Sequence, residues 1–339
     1  MIINNKKMNN LNNKKVLIIG GTGLIGHEIV KQLNKSRVDI YSLSRGISKY
    51  SGDQQVKGLL GDRKDYKRLY EVISQYGPWE CIIDMVCFKK DDANALIKAS
   101  KGSVKQIILC STTSVYEKPS DVYPIKTNFS LNSNSKYGQS KVECEQAFQN
   151  KFVNQGCFLT IIRPGQMFSQ SSSILHSLGS SSSFLDRIIK GKKIIVHDNG
   201  LSLWSSLHVF DVANIFVSSI GNKAAYNKIY HATGNEYYSW LHYYHEIANS
   251  LKVVIPKIVQ VPSAKLFKIS PDRGKQAFES LQYHGIYDMN PTINDLNYKQ
   301  SISLSDSIFE TVSSIKQNKE IISYESDVEY DHILESVSK

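Results

Sequence analysis

The segment KKVLIIGGTGLIGHEIVKQL, residues 14–33, restricts the fold more than any other part of the sequence. Its apolar run, Val16–Ile19, is typical of a strand that is buried on both faces. A glycine-rich turn and a helical pattern follow, an arrangement that lets the backbone approach a pyrophosphate at the helix N-terminus. The segment therefore predicts a dinucleotide site, with a turn that binds no ligand as the alternative. The predicted cofactor contacts are Gly20, Thr22, Gly23, Leu24, Ile25 and Gly26.

Strand-like and helix-like segments alternate along the first half of the chain. Apolar strand segments lie at 38–46, 56–62, 80–88, 104–116 and 157–165, with helical segments at 66–76 and 91–100. This alternation predicts an α/β fold with a Rossmann-like, doubly wound parallel sheet, in which ligands bind beyond the carboxyl ends of the strands. We expect a smaller α/β substrate-binding lobe toward the carboxyl end of the chain.

The predicted domain boundaries follow shifts in composition. Residues 1–13 are rich in Asn and Lys, and we expect a disordered leader there. The dinucleotide-binding domain is predicted over 14–165, with 194–230 returning to it. The substrate-binding lobe and a carboxy-terminal helix are predicted over 166–193 and 231–339, and the Ser-rich stretch 169–183 predicts a mobile loop over the site.

Composition argues against several classes of protein. No apolar run approaches the ~20 residues that cross a bilayer, so no membrane partner is expected. Five cysteines without CxxC spacing are typical of buried thiols in a reducing compartment, and we expect a cytoplasmic protein. The net charge is +10, and much of the basic charge lies in Lys-rich loops. A nucleic-acid surface would need basic and aromatic residues clustered on one face, so nucleic acid is not expected as a partner. His242 and His245 lack a third ligand at suitable spacing, so no metal site is predicted.

Tyr137 and Lys141 lie four residues apart at the start of a predicted helix, and therefore on one helix face. A free Tyr has a pKa near ~10, too high for a base at neutral pH. A Lys ammonium one turn away and a positive nicotinamide ring would favour the phenolate, which exchanges a proton with a hydroxyl. The Ser and Thr hydroxyls that end the fifth strand would hold the same oxygen. The alternative is an amphipathic helix surface, because YxxxK is a common spacing.

The ends of other strands bear on the choice of dinucleotide. The second strand ends in Ser44 and Arg45 without a carboxylate, which favours NADP over NAD because Arg suits a 2′-phosphate. A surface Arg stacking on the adenine is the alternative. Asp62 would accept a hydrogen bond from the adenine amino group or cap the following helix. The remaining predicted cofactor contacts are Arg63, Val86, Cys87, Tyr137, Lys141 and Pro164.

Seven motifs in order, GGTGLIG, GDRKD, STTSVY, YGQSK, IIRPG, LHVFDVA and YHATGNE, give the chain a family resemblance. It resembles the extended short-chain dehydrogenase/reductases of the NAD-dependent epimerase/dehydratase type, from about Lys14 to the carboxy-terminal helix. The resemblance implies a Rossmann domain that binds NAD or NADP, a smaller substrate lobe, and a homodimer formed through the helix of Tyr137. It also implies that Thr112 and Tyr137 are catalytic and that Lys141 holds the nicotinamide ribose.

One departure from the family pattern concerns the reaction. Dehydratases of the family carry an Asp-Glu pair directly after the catalytic Thr, and here Thr113 and Ser114 occupy those positions. No carboxylate is left to eliminate water in that manner, so a 4,6-dehydratase is not expected. Thr113 and Ser114 are predicted to contact the substrate instead.

A second departure concerns the substrate. Members that act on nucleotide sugars usually have an Arg four residues before the His of the HVxD segment, and here Trp204 precedes His208 at that distance. Trp204 is predicted as a pocket wall or a core aromatic. The replacement arginine would be Arg163, Arg187 or Arg273, of which Arg273 is carried forward as a substrate contact; ordinary ion pairs are the alternative for each.

The sequence therefore predicts an NAD(P)-dependent oxidoreductase or epimerase that acts on a sugar or nucleotide sugar. A reductase of a keto-sugar or another carbonyl compound without a nucleotide is one alternative. A non-catalytic, nucleotide-sensing or RNA-binding relative of the fold is another, which the positive charge permits. The complete Thr-Tyr-Lys set argues against the second alternative, because a sensor needs no proton relay.

Overall fold

The structure is a computed structural model that describes residues 11–46, 55–152 and 156–338. Its strands are β1 (Lys15–Ile19), β2 (Asp39–Ser44), β3 (Val56–Leu60), β4 (Trp79–Asp84), β5 (Val104–Cys110), β6 (Phe158–Pro164), β7 (Gln166–Phe168), β8 (Leu175–His176), β9 (Gly179–Ser180), β10 (Ile194–His197), β11 (Leu203–Trp204), β12 (Ser206–His208), β13 (Lys228–Ala232), β14 (Tyr238–Ser239) and β15 (Ile258–Val261).

Its α-helices are α1 (Leu24–Leu33), α2 (Tyr66–Tyr76), α3 (Lys90–Ala99), α4 (Lys136–Phe152), α5 (Ser183–Ile189), α6 (Val209–Ser219), α7 (Trp240–Leu251), α8 (Ser263–Ile269), α9 (Pro271–Gln276), α10 (Asn290–Leu296), α11 (Leu304–Gln317) and α12 (Val328–Ser338). Short helical turns of other types lie at Thr113–Val115, Lys223–Ala225, Ala277–Leu281 and Tyr324–Ser326.

Seven strands form one parallel sheet in the order β13-β6-β5-β4-β1-β2-β3. In the sheet, Ile18 of β1 lies between Ser42 of β2 and Ile83 of β4. Helices cover both faces, which is why β1 is apolar and fully buried from Val16 to Ile19. The predicted α/β fold with a Rossmann-like, doubly wound parallel sheet is confirmed.

The two faces of the sheet have separate cores. On one face α1 and α6 pack together, with Ile29 and Val212 in the core. On the other face α2, α3 and α4 pack, and Leu96 and Phe148 are among the buried residues. Each such fully buried apolar side chain contributes about 1.5–3 kcal/mol, so these helices are held by the sheet more than by their own propensity.

The carboxy-terminal lobe has its own core, and its boundary differs from the predicted one. β10 pairs with β15, and Ile194, Ile195 and Val196 share the core of this lobe with residues of α7 and α11. The chain rejoins the first domain only at β12 and α6, where Leu207 enters the first core. The predicted return to the first domain over 194–230 therefore begins too early, because β10 belongs to the carboxy-terminal lobe. The apolar β10 strand gave no signal of which sheet it would join.

The amino-terminal and carboxy-terminal boundaries also shift. Residues 11–13 belong to the folded domain, because Leu11 is buried in the first core and Asn13 N–H donates to the Arg37 carbonyl. The disordered leader predicted over 1–13 is therefore wrong for 11–13, and residues 1–10 lie outside the described residues. Met289 and Leu296, which the prediction placed in the carboxy-terminal lobe, also pack in the first core.

The Ser-rich stretch 169–183 is folded instead of forming the predicted mobile loop. β8 and β9 pair as a short antiparallel hairpin, and Ile174, Leu175 and Leu178 are buried in the core of the carboxy-terminal lobe. Ser169 accepts a hydrogen bond from Thr311 at its carbonyl, at 2.9 Å. The prediction weighed the serines and missed the apolar residues spaced among them.

No helix in the described parts of the chain is both long and apolar enough to cross a membrane. The five cysteines are free and buried.

Candidate active site

The glycine turn after β1 has a conformation that larger residues would strain. Gly20 has a φ of +86°, and a Cβ built there would lie 2.9 Å from Cγ1 of Val86. A Cβ on Gly26 would lie 2.4 Å from the Gly20 carbonyl oxygen, so α1 approaches the turn closely. Gly20 thus makes a tight turn and Gly26 permits close helix packing, the roles that glycines have in a dinucleotide-binding turn.

The N-terminus of α1 is open to an anion. Gly23 is the N-cap, and no side chain accepts a hydrogen bond from the first turn of α1. The N–H groups of that turn therefore lack intrahelical partners and face an exposed edge, where Gly23 and Leu24 are exposed and Thr22 and Ile25 half-buried. Backbone donors and the positive end of the helix dipole suit a pyrophosphate, so this turn fits a dinucleotide.

Residues predicted around the adenosine half lie at the ends of β2 and β3. Ser44 ends β2 half-buried, and Arg45 follows it and is exposed. Asp62 does not cap α2, because Asp65 is the N-cap and accepts from the Arg68 N–H at 3.0 Å. One carboxylate oxygen of Asp62 accepts from the Lys64 N–H at 2.8 Å in a preceding turn.

Arg63 is not placed to contact a cofactor through its side chain. It is buried, and its guanidinium donates to Asp84 and lies 3.6 Å from Asp92 in ion pairs. The prediction of a cofactor contact is corrected to this extent: Arg63 ties the segment after β3 to the end of β4 and to α3. The sequence did not reveal this because Asp84 and Asp92 are distant from it in the chain.

Lys141 is buried on α4 and joins two strand ends. Its Nζ donates to the carbonyl of Cys87 at 2.8 Å and to that of Cys110 at 2.6 Å. A Lys ammonium has three N–H donors, so one remains for a further acceptor. Val86 and Cys87 thus stand beside the glycine turn and Lys141, and Pro164 lies two strands away at the end of β6.

Tyr137 lies in the first turn of α4, half-exposed, next to Thr112. Partial burial raises the pKa of Tyr137, while the Lys141 charge and a hydrogen bond from Thr112 lower it; burial prevails. The structure therefore brings Thr112, Tyr137 and Lys141 together at the carboxyl end of β5. Within the chain itself the Lys141 charge and the Thr112 hydrogen bond do not offset the cost of desolvating the phenolate.

A buried polar network supports these residues from below. Arg163 at the end of β6 pairs with Glu145 on α4, one turn after Lys141. Glu145 also accepts from the hydroxyl of Ser111, the residue before Thr112. Arg163 donates further to the hydroxyl of Tyr116, which is 2.6 Å from Nε2 of His231. The network thus links α4, β5, β6 and β13, and among its members Ser111 and Arg163 were singled out from the sequence.

A cavity of about 210 Å³ opens beside Thr112 between the two parts of the molecule. Thr113, Ser114 and Trp204 line it, as does Gln166, so the structure brings three of the predicted substrate residues to one cavity. Further lining residues were missed, most of them from the end of α9 and the segment after it, which are distant in the chain from Thr112. They are Lys118, Gln276, Ser280, Tyr283, Gly285 and Tyr287.

Trp204 is at once a core aromatic and a wall of this cavity. It is 7% exposed, and its ring stacks on Trp240 with the centroids 4.8 Å apart and the planes at 19°. Tyr243 meets it edge-on at 5.1 Å. The sequence left open whether Trp204 is a pocket wall or a core aromatic, and the structure shows that it is both.

None of the three candidate arginines faces this cavity. Arg163 pairs with Glu145, and Arg187 with Asp331. Arg273 donates to both carboxylate oxygens of Asp327, at 2.8 and 3.0 Å, and to the Leu178 carbonyl. The prediction of Arg273 as a substrate contact is wrong, because its donors are used within the carboxy-terminal lobe.

A larger cavity of about 630 Å³ lies at the opposite edge of the sheet. Cys157 and Phe158 at the start of β6 and Lys228 at the start of β13 line it. It is therefore at the amino ends of the strands, whereas ligands of such sheets bind at the carboxyl ends. The smaller cavity beside Thr112 is the better candidate for the substrate.

Known proteins share this fold and much of this sequence pattern. A family model described as the NAD dependent epimerase/dehydratase family matches residues 16–232, more than half of the chain. The crystal structure of UDP-glucuronic acid 4-epimerase from Bacillus cereus in complex with NAD has a TM-score of 0.71 and 15% identity, covering 90% of this chain and 99% of that chain. This likeness extends the shared fold over the carboxy-terminal lobe.

Two curated relatives are similar in sequence. The 2′-dehydrokanamycin reductase of Streptomyces kanamyceticus is 21% identical over 237 residues, covering 70% of this chain and 66% of that protein. The chloroplast stem-loop binding protein of 41 kDa b from Arabidopsis thaliana is 28% identical over 237 residues, covering 66% of this chain and 60% of that protein. The matches thus span less than two thirds of each relative's own length.

Proposed function

The chain belongs to the NAD dependent epimerase/dehydratase family, and from this premise we propose that it is an NAD(P)-dependent oxidoreductase or epimerase acting on a hydroxyl or keto carbon of a sugar. The observation that carries the proposal is the meeting of Thr112, Tyr137 and Lys141 between the glycine turn and the cavity. Thr112 lines the cavity and Lys141 donates to the Cys87 carbonyl beside the glycine turn, which supports a proton donor and acceptor between a dinucleotide site and a substrate site.

Three side chains carry the proposed proton transfer. The bound cofactor supplies a hydride acceptor for oxidation and a hydride donor for reduction. In oxidation the Tyr137 phenolate takes the O–H proton of the substrate while the C–H electron pair leaves as hydride, and in reduction the phenol returns a proton to the carbonyl oxygen. Thr112 orients that oxygen, and the third N–H of Lys141 is available for a ribose hydroxyl.

The protonation state of Tyr137 is set by more than the chain. Burial holds its pKa above the usual value despite Lys141 and Thr112. An oxidised nicotinamide ring carries a positive charge, and a positive charge nearby favours the phenolate. We therefore expect the phenol to become a usable base when the oxidised cofactor is bound, which couples proton transfer to occupancy of the dinucleotide site.

The proposed cofactor is NADP, with NAD as the alternative. The exposed Arg45 after β2 supports this choice, because a guanidinium suits a 2′-phosphate. Arg45→Asp is expected to weaken NADP binding by about 10–150-fold, since a hydrogen bond to a charged group contributes about 1.5–3 kcal/mol. NAD binding should stay within a few fold, and equal effects on both cofactors would contradict the assignment.

The reaction is proposed to be redox or epimerisation at carbon and not dehydration. Thr113 and Ser114 line the cavity where dehydratases of the family carry carboxylates, and no carboxylate is among the described residues that line it. An epimerase returns the hydride to the other face of the same molecule, whereas a reductase releases the product. Net consumption of NADPH with a keto-sugar distinguishes the two.

A second candidate is nucleic-acid stem-loop binding without turnover. It is supported by the 28% identity with the chloroplast stem-loop binding protein and by the net charge of +10. Such binding would lose affinity steeply with salt, because it depends on counterion release. A protein that binds stem-loop RNA in this way and turns over no sugar would favour this candidate over the enzyme.

The direct test of the proposed function is cofactor binding followed by turnover. Thermal unfolding with NADP, NADPH, NAD and NADH reports affinity, because a ligand that binds the native state alone raises the midpoint by mass action. Turnover of keto-sugars and nucleotide sugars is then followed by the absorbance of the reduced cofactor. We expect a shift with at least one cofactor; no shift with any of them would contradict the proposal.

A further inference from the structure

The cavity beside Thr112 is small and almost free of charge. Its volume of about 210 Å³ is below the roughly 300–1,000 Å³ of pockets that hold larger organic ligands. Lys118 is the one charged side chain among the described residues that line it. The other polar side chains of the wall are neutral: Thr112, Thr113, Ser114, Gln166, Ser205, Gln276, Ser280, Tyr283 and Tyr287.

Lys118 crosses from the first domain toward the carboxy-terminal lobe. Its main chain is fixed on both sides, because its N–H donates to Asn134 Oδ1 at 3.1 Å and its carbonyl accepts from Asn134 Nδ2 at 2.9 Å. Its Nζ donates to the Ser280 hydroxyl at 3.0 Å. Within the described ranges no carboxylate pairs with it. The Lys118 ammonium has three N–H donors, so N–H groups remain available to a ligand in the cavity.

The space beyond this cavity does not suit a diphosphate. An adjoining cavity of about 320 Å³ shares Lys118 and Ser280 with the first and adds Lys275, Asp272 and Glu279. Lys275 and Glu279 already form an ion pair at 3.9 Å. The added side chains thus bring two carboxylates and one cation, and a carboxylate repels a phosphate. Arginines, which bind phosphates in a bidentate manner, are used elsewhere in the fold.

Part of the cavity lining is aromatic. Trp204 is stacked on Trp240, and both line the cavity together with Tyr287. Stacking and burial hold the Trp204 ring in place, so it gives the cavity a fixed apolar contact. A compact ligand would therefore have its apolar face on Trp204 and its polar groups toward Lys118 and the hydroxyls.

Resting on the proposed function, we propose that the substrate is a sugar without a nucleotide that carries one anionic group, and that Lys118 binds this group. The anion is a carboxylate or a phosphate monoester, which a single ammonium recognises in the same way. The hydroxyls of Ser114 and Ser280 share the cavity wall with Lys118 and complete the site. Lys118 is thereby a residue that determines specificity.

The test uses the cofactor-loaded full chain with four probes: glucuronate, glucose 6-phosphate, glucose and UDP-glucose. Binding is measured by calorimetry, and turnover wherever it occurs. We expect at least one of the two single-anion sugars to bind at least tenfold more tightly than glucose and UDP-glucose. Lys118→Met should remove this preference by weakening that probe about 10–100-fold with glucose unchanged, and Lys118→Arg should largely restore it.

The control is Lys126→Met, which removes an exposed lysine from the same segment and should leave every affinity unchanged. Preference for UDP-glucose, or equal binding of all four probes, would overturn the proposal while the proposed function stands. Equal weakening of glucose and the anionic sugars by Lys118→Met would also overturn it. A chain that binds no nicotinamide cofactor would instead remove the proposed function, which the cofactor measurement alone reveals.

Discussion

Arg163 on β6 donates to both carboxylate oxygens of Glu145 on α4, at 2.9 and 2.6 Å, with both side chains at most 1% exposed. This pair joins the helix of Tyr137 and Lys141 to the sheet. Glu145 also accepts a hydrogen bond from the hydroxyl of Ser111, the residue before Thr112. The three proposed catalytic residues therefore depend on one buried pair for their mutual positions.

Glu145→Gln tests this dependence. The substitution keeps the shape of the side chain and leaves Arg163 charged and unpaired in the interior, which destabilises a protein by about 3–5 kcal/mol. Unfolding in denaturant measures the loss. Glu143→Gln on the exposed face of the same helix should stay within about 0.5 kcal/mol. Equal effects of the two substitutions would mean that the pair contributes nothing specific.

Lys141→Met tests the role of the buried ammonium. Two carbonyl groups, those of Cys87 and Cys110, would lose their donor, and each unsatisfied buried acceptor costs about 1–3 kcal/mol. The pKa of Tyr137, raised by burial, would rise further because the Lys141 charge lowers it. In the oxidation direction the pH at half-maximal rate should therefore move upward. Lys136→Met, at an exposed position of α4, should change neither the free energy of unfolding nor the pH at half-maximal rate.

Buried histidines make stability depend on pH. Burial lowers the pKa of His176 to about 3 and those of His197 and His231 to about 4. These groups are neutral in the folded chain, and an unfolded His has a pKa near ~6.5. The unfolded state thus binds more protons below that pH. The contribution of these histidines to stability is therefore fully present above pH ~6.5. It is lost as the pH falls toward their pKa values in the folded chain.

His176→Gln isolates one of these contributions. Between about pH 4 and 6 each such group adds up to about 1.36 kcal/mol per pH unit to the slope of stability against pH. The variant should lose that part of the slope, whatever its stability at neutral pH. His245→Gln, at an exposed position of α7, serves as the control. An unchanged slope in the His176 variant would show that His176 does not titrate on unfolding.

Local patterns predicted the dinucleotide half of the molecule well. β1, the glycine turn, α1 and the succession of strands along the chain follow from apolar runs and glycines that lie close together in the sequence. The helix of Tyr137 and Lys141 was predicted for the same reason. These features need no knowledge of distant contacts, because the parallel sheet brings the carboxyl ends of its strands to one edge.

The substrate side was less predictable because long-range contacts build it. The partners of Arg273 are more than fifty residues away, and Lys118 meets Ser280 across 162 positions. β10 is apolar like the strands of the main sheet, yet it pairs with β15 in the other lobe. No local pattern states which distant carboxylate an arginine will find or which sheet a short apolar strand will join.

The central claim is that Tyr137 takes a proton from the substrate oxygen in oxidation and returns one in reduction. Tyr137→Phe tests this claim most directly. With a substrate that the wild type turns over, kcat should fall by roughly 10²–10⁴-fold, the usual contribution of a positioned acid or base. Cofactor affinity should remain within a few fold. Tyr70→Phe, at an exposed position of α2, should keep full activity. Full turnover by the Tyr137→Phe variant would contradict the account.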